Sequence, residues 1–373
     1  MSNSNSNNSN SEINDVREAK EFKGISFSEF KKTDVKKELL NSLINSRIEP
    51  ACYWSAELIC AGHYGDLWDT ILYFYSKNVH SGNPKLATYL ELRIKNFRDI
   101  INNGYSNMEI KLRNNEKMRK LFCEVICILC DAKRKHSYDE VKIKKEELNT
   151  GHMSDKFKAP SVHYGDIIFQ KGDPKELFIA TNEFIYNISS EGKNVMNACY
   201  WLEWIMEFET LCKQKKEKCL CERRSKMPVD PKSQMDIIWI IWDGIMREAE
   251  LRSNLIQKII KSLLNLFCLK YSRGSFKKRK YLVYFAISLL TENIDLNIDI
   301  IKPEQKEKIQ VVVSNVDTVY KQIKKNEKAP KTDYLFKNVK AANLEKTLER
   351  LEKMNSLGNT FTPQLDSDDD DDF

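Results

Sequence analysis

Apolar residues recur three and four positions apart through most of this chain, the spacing of one helix face. Leu86, Leu90, Ile94, Phe97 and Ile101 step by four, four, three and four. Asn83 is placed to cap that helix, Pro84 suits its first position, and Gly104 can end it in a left-handed turn. DIIWIIWDGIM at 236–246 is apolar on nearly every side, which predicts a central buried helix. After Pro303 one face collects Ile309, Val312, Val313, Val316, Val319, Tyr320 and Ile323, and a last stripe joins Leu344, Leu348, Leu351 and Met354. Only 139–166 is polar and irregular, and no stretch alternates long enough for a sheet. The expected class is all-α.

The word ACYW occurs at Ala51–Trp54 and again at Ala198–Trp201. Its flanks match in kind. DVKKELLNSLINSRIEP and DPKELFIATNEFIYNISSEGKNVMN each read as a helix and a polar break ahead of it. Downstream, NNEKMRKLFCEVICILC and GSFKKRKYLVYFAISLL each open an apolar helix with a basic cluster. The two words lie 147 residues apart, and Arg119-Lys120 lies 160 residues from Arg279-Lys280. One insertion of about 13 residues reconciles the offsets, and CKQKKEKCLCERRSK at 212–226 has no counterpart in the first half. A tandem duplication of a helical module follows as the expectation. Residues 26–138 form repeat 1, 139–172 a linker, 173–300 repeat 2 with a protruding basic insertion, and 303–357 C-terminal helices.

Composition changes the ends of this picture more than its middle. MSNSNSNNSN is low-complexity, so 1–20 is expected to be disordered, and it has neither the basic start nor the apolar stretch of a signal peptide. YLVYFAISLL falls far short of the roughly 20 residues of a membrane span. The expected setting is intracellular, with ten cysteines kept as thiols and no membrane partner. The net charge of +6 conceals six Asp in the final DSDDDDDF, so residues 1–365 carry +12. The body is basic and the tail, 358–373, acidic.

Candidate chemistry is sparse. The chain has no HExxH, GxSxG or GxxxxGK[ST], and its five His are scattered, so no catalytic residue is assigned and no cofactor is expected. Cys212, Cys219 and Cys221 are weak metal candidates. Their C-x6-C-x-C spacing is irregular, and a fourth ligand would have to come from elsewhere, such as His163. Cys123, Cys127 and Cys130 share a helical face with Phe122 and Ile126 and read as core. The stronger signal is cationic. Arg119 and Lys120, then Lys215, Lys216, Arg223 and Arg224, then Arg273, Lys277, Lys278, Arg279 and Lys280 are candidate phosphate contacts, the last group beside Tyr271, Phe276 and Tyr281. A solvated lysine-rich face is the plainer account of the same residues.

Three resemblances add to this reading. Ala51, Tyr53, Trp54, Ala56, Ala61, Gly62, Asn83 and Pro84 resemble the helical region that follows the ATPase core in Werner-helicase-interacting AAA+ ATPases, relatives of the clamp loaders. That likeness spans about 40 residues of packing pattern and implies a helical assembly domain without the motor; the second half keeps Ala198, Tyr200 and Trp201 but not the Ala-Gly. Asp368, Asp369, Asp370, Asp371, Asp372 and Phe373 are similar to the acidic, Phe-terminated tails of single-stranded-DNA-binding proteins, which implies a partner-binding segment able to compete with DNA for a basic groove. As a whole the chain resembles a protein family of the large nucleocytoplasmic (giant) DNA viruses, which implies the host cytoplasm, a viral factory or the virion as its setting.

The expected function is a non-enzymatic accessory protein of DNA replication, repair or transcription. Its partners would be nucleic acid, DNA first, and replication or transcription proteins met through the tail; a homo-oligomer stays open. The alternative is a helical scaffold or virion protein working through protein–protein contacts.

Overall fold

A computed structural model describes residues 11–106, 108–148 and 154–328, together with 346 and 349. The chain divides into two compact units. One takes in residues 11–13 and 18–326; the other joins 14–17 to the segment beginning at 327. In the small unit Val16 N donates to Lys328 O at 3.2 Å and Lys328 N to Asp15 Oδ2 at 2.8 Å.

The large unit is helical, and no strand occurs among the described residues. Its first half holds α1 (Lys32–Ile44), α2 (Ile48–Cys60), α3 (Tyr64–Phe74), α4 (Leu86–Asn102) and α5 (Glu116–Asp131). A one-turn α6 (His163–Asp166) precedes α7 (Phe178–Ile188), α8 (Val195–Gln214), α9 (Ile238–Glu250), α10 (Asn254–Phe267) and α11 (Ser275–Thr291). Two further helices, α12 (Pro303–Ser314) and α13 (Asp317–Lys324), follow. No helix among the described residues is long and apolar enough to cross a membrane.

Packing partners run in parallel through the two halves. Helix α1 packs on α2 and α3, α2 on α5, and α4 on α5. Likewise α7 packs on α8 and α9, α8 on α11, and α10 on α11. The halves meet where α4 lies on α10 and α3 on α11. Each ACYW begins at the fourth residue of its helix, α2 or α8. In both words Ala and Cys are buried and the neighbouring Tyr and Trp rings sit edge to face, at 5.1 Å for Tyr53–Trp54 and 5.3 Å for Tyr200–Trp201. Aromatic burial fills each half. Trp68 packs on Phe122 (5.1 Å) and Phe97 (5.8 Å), while Trp242 packs on Phe267 (5.4 Å).

Several expectations change. Residues 11–13 are placed against the rest of the large unit: Ser11 and Ile13 are buried, and the Asn114 side chain exchanges two 2.9 Å hydrogen bonds with the Ile13 backbone. Asn83 does not cap α4, which begins at Leu86; its Nδ2 donates instead to Asp299 O at 3.0 Å. Gly104 does adopt a positive φ of 101° just past the helix end. The single helix expected after Pro303 is two, broken at Asn315 after the β-branched run Val311–Val313. Those two helices pack on the first half, α12 on α5 and α13 on α2. The described parts of 139–172 hold only short helices but are pinned: Trp204 Nε1 donates to Glu147 O at 2.7 Å and Lys158 N to Glu183 Oε2 at 2.9 Å. The stripe from Leu344 to Met354 and the tail residues Asp368–Phe373 lie outside the described residues, apart from 346 and 349.

Candidate interaction groove and thiol cluster

Helix α11 starts SFKKRK, and its geometry sorts those cations. Phe276, Arg279, Lys280, Val283 and Ile287 fall on one i, i+3/i+4 stripe, so two cations share the face of the core residues. Arg279 is buried, donates to Phe267 O at 2.9 Å and to Leu269 O, and pairs with Asp69 Oδ1 of α3 at 2.8 Å. Lys280 is also buried, between Glu140 (2.7 Å) and Glu203 (3.1 Å), with its Nζ 5.4 Å from the Phe276 ring centre. Burial alone would pull the Lys280 pKa down, but Glu140 and Glu203 outweigh it and the ammonium is held above its usual range. Glu203 itself is raised, because burial outweighs what Lys280 and the Tyr284 hydroxyl (2.8 Å) return.

Arg119 repeats the pattern on α5. It is buried, donates to Arg113 O at 2.6 Å and Ser11 O at 3.1 Å, pairs with Asp317 at 2.8 Å, and lies 3.9 Å from the Tyr320 ring centre. Arg224 anchors the 212–226 stretch rather than projecting from it. Its guanidinium reaches Asp173 (2.6 Å), Asp243 (3.2 Å) and Ile168 O (3.2 Å), while Arg224 N and Cys221 N pair with the backbone at 234 and 235. The expected insertion is therefore folded back on the body. Arg119, Arg224, Arg279 and Lys280 are internal ties, not members of an open phosphate-binding surface, since a charge leaves water only when carboxylates and carbonyls replace it.

The other cations face outward. Lys215, Lys216, Lys277 and Lys278 are exposed, as is Arg223, whose Nε donates to Gln234 at 2.8 Å. Lys120 is partly exposed beside Glu116. Arg273 pairs with Asp236 at 2.6 Å and Lys278 with Asp69 at 3.4 Å. A groove of about 380 Å³ between α8 and α11 brings Lys213, Arg273, Lys277 and Lys280 together, and Glu140, Glu203, Glu207 and Glu209 line it too. Sequence separation hid this meeting of the 212–226 and 273–280 stretches.

The thiols are placed differently from expectation. Cys221 Sγ donates to Asp236 O at 3.3 Å, away from any shared ligand position with Cys212 and Cys219, and His163 is exposed beside Asp166. Burial raises the Cys219 and Cys221 thiols to about 12. The close grouping of possible ligands among the described residues is instead Cys52, Cys123 and Cys127, all buried, with Sγ atoms within 4.8 Å of one another. The three thiols share hydrogen bonds among themselves, which lower the Cys123 pKa and raise those of Cys52 and Cys127. Two of these three were expected as core packing, and core they are; what their spacing could not show is Cys52 of α2 arriving beside them.

Compared with known proteins, the chain matches no family model, no curated protein and no solved structure.

Proposed function

We propose that this is a non-enzymatic accessory protein that binds nucleic acid, DNA first, at the exposed cationic rim of the α8–α11 groove. The observation that carries this reading is the meeting of Lys213 with Arg273 and Lys277 there, with Lys215, Lys216 and Lys278 exposed on the same two stretches. Two basic runs far apart in sequence thereby supply one surface, as backbone-directed binding requires. The acidic tail acts on that rim as a competitor and recruits replication, repair or transcription proteins, in the setting the viral resemblance suggests. The parallel packing of α1–α5 and α7–α11 supports reading the body as two copies of one module, which makes the groove a feature of the second copy.

The test is anisotropy of labelled single-stranded DNA, duplex DNA and RNA across a salt series. Affinity should fall steeply with salt, by a slope of about 0.7 per phosphate contact on a single strand. Joint Lys215→Glu, Lys216→Glu, Lys277→Glu and Lys278→Glu substitution should remove binding while the far-ultraviolet circular dichroism stays unchanged. Absence of salt-sensitive binding in the unaltered protein overturns the reading.

One observation favours a helical scaffold instead: the groove carries four glutamates against four cations. A balanced groove suits a protein surface of mixed charge better than a polyanion. Saturable self-association or partner capture without DNA affinity would select it.

A further inference from the structure

Cys123 and Cys127 stand one turn apart on α5, and Cys52 meets them from α2. All three side chains are buried, every Sγ pair is within 4.8 Å, and Cys52 Sγ lies 3.9 Å from Cys123 Sγ. Three sulfurs in a plane around one ion at about 2.3 Å stand about 4 Å from one another. The cluster therefore needs only small side-chain adjustments to surround an ion. No His, Asp or Glu belongs to the group among the described residues, so the donor set is sulfur alone.

The second half shows what packing by itself would have used. On the alignment that places Arg119 with Arg279, the positions of Cys123 and Cys127 hold Val283 and Ile287, both fully buried, while Cys52 corresponds to Cys199. Apolar residues fill those interior positions there without thiols. Access exists as well. A cavity of about 450 Å³ opens on Cys52 and Cys123, walled by Val312 of α12, Val316 between the helices and Val319 of α13, with Glu49 and Gln322 also on its lining.

We propose that Cys52, Cys123 and Cys127 form a three-sulfur site for Cu(I). Thiolate sulfur selects soft ions, Cu(I) and Zn(II) among them, and zinc in protein sites takes four ligands as a rule. Three sulfurs without a fourth side chain satisfy Cu(I) and leave Zn(II) short. Binding involves no electron transfer: Cu(I) enters as Cu(I), each thiol that becomes a ligand forms a Cu–S bond, and its proton leaves to solvent.

The test is titration of the full-length, phosphine-reduced protein with Cu(I) under anaerobic conditions, against bicinchoninate as competitor. One equivalent should be withheld from the chelator, and the X-ray absorption spectrum should show sulfur neighbours only. Cys123→Val and Cys127→Ile, which copy the second half, should lower affinity on the order of 100-fold, at least what loss of an outer-shell partner costs a metal site. Cys52→Ser should do the same, giving a third variant if either apolar one melts early. Cys212→Ser should leave uptake unchanged. The proposal is overturned by no uptake in the unaltered protein, by uptake that survives all three substitutions, or by a four-coordinate zinc that excludes Cu(I).

Discussion

The Arg279 guanidinium donates to the Asp69 carboxylate at 2.8 Å across 210 residues of sequence, and so ties α11 of the second half to α3 of the first. Arg279 is shielded from water and Asp69 nearly so, at 7% and 21% side-chain exposure. Leaving one member of such a pair alone strands a charge in a poor solvent. Because Asp69 keeps Lys278 at 3.4 Å, Arg279→Ala should cost less in urea unfolding than the about 3–5 kcal/mol of breaking a fully buried pair. Joint replacement with Asp69→Asn should cost less than the two single effects combined. Strict additivity would show that the pair does not couple the halves.

His80 supplies a pH prediction. Both its ring nitrogens are buried without a hydrogen-bond partner, and the ring lies 4.7 Å from Phe285. Burial, with Lys135 adding to it, lowers its pKa from 6.5 to about 3. A depressed histidine pKa means stability that is complete above the unfolded value and drains away as pH falls from 6.5 toward 3. The drain is about 1.4 kcal/mol per pH unit. His80→Asn removes the proton site while keeping a polar side chain there. Its unfolding free energy should fall less steeply over that window, and an unchanged slope would show that His80 is not buried neutral.

For the tail, deleting 366–373 removes six carboxylates. The shortened protein should bind single-stranded DNA more tightly, with the gain shrinking as salt screens the competition. Phe373→Ala, which alters no charge, should leave DNA binding nearly unchanged. Equal binding by the full and shortened chains would remove the tail from the proposal.

The proposed duplication makes a geometric prediction. In an experimental structure α1–α5 should superpose on α7–α11 with Trp54 over Trp201. A best superposition that sets α2 on any helix other than α8 would refute it.

Much of the fold was legible because helix periodicity is local: Leu86, Leu90, Ile94 and Phe97 are buried as their spacing requires. Even the burial of Arg279 and Lys280 is latent in the sequence, since they share a stripe with Phe276 and Val283. Arg119, on the stripe of Phe122 and Cys123, is the same case. What sequence alone determined was therefore the helical class, the faces, and a basic body with an acidic end. Which cations meet water was decided by tertiary contacts, because Asp69, Asp317 and Asp173 come to their arginines from 210, 198 and 51 residues away. The thiol cluster is of the same kind. Spacing aligns Cys123 with Cys127 on one turn of α5, but only the packing of α2 against α5 brings Cys52 to within 3.9 Å of Cys123.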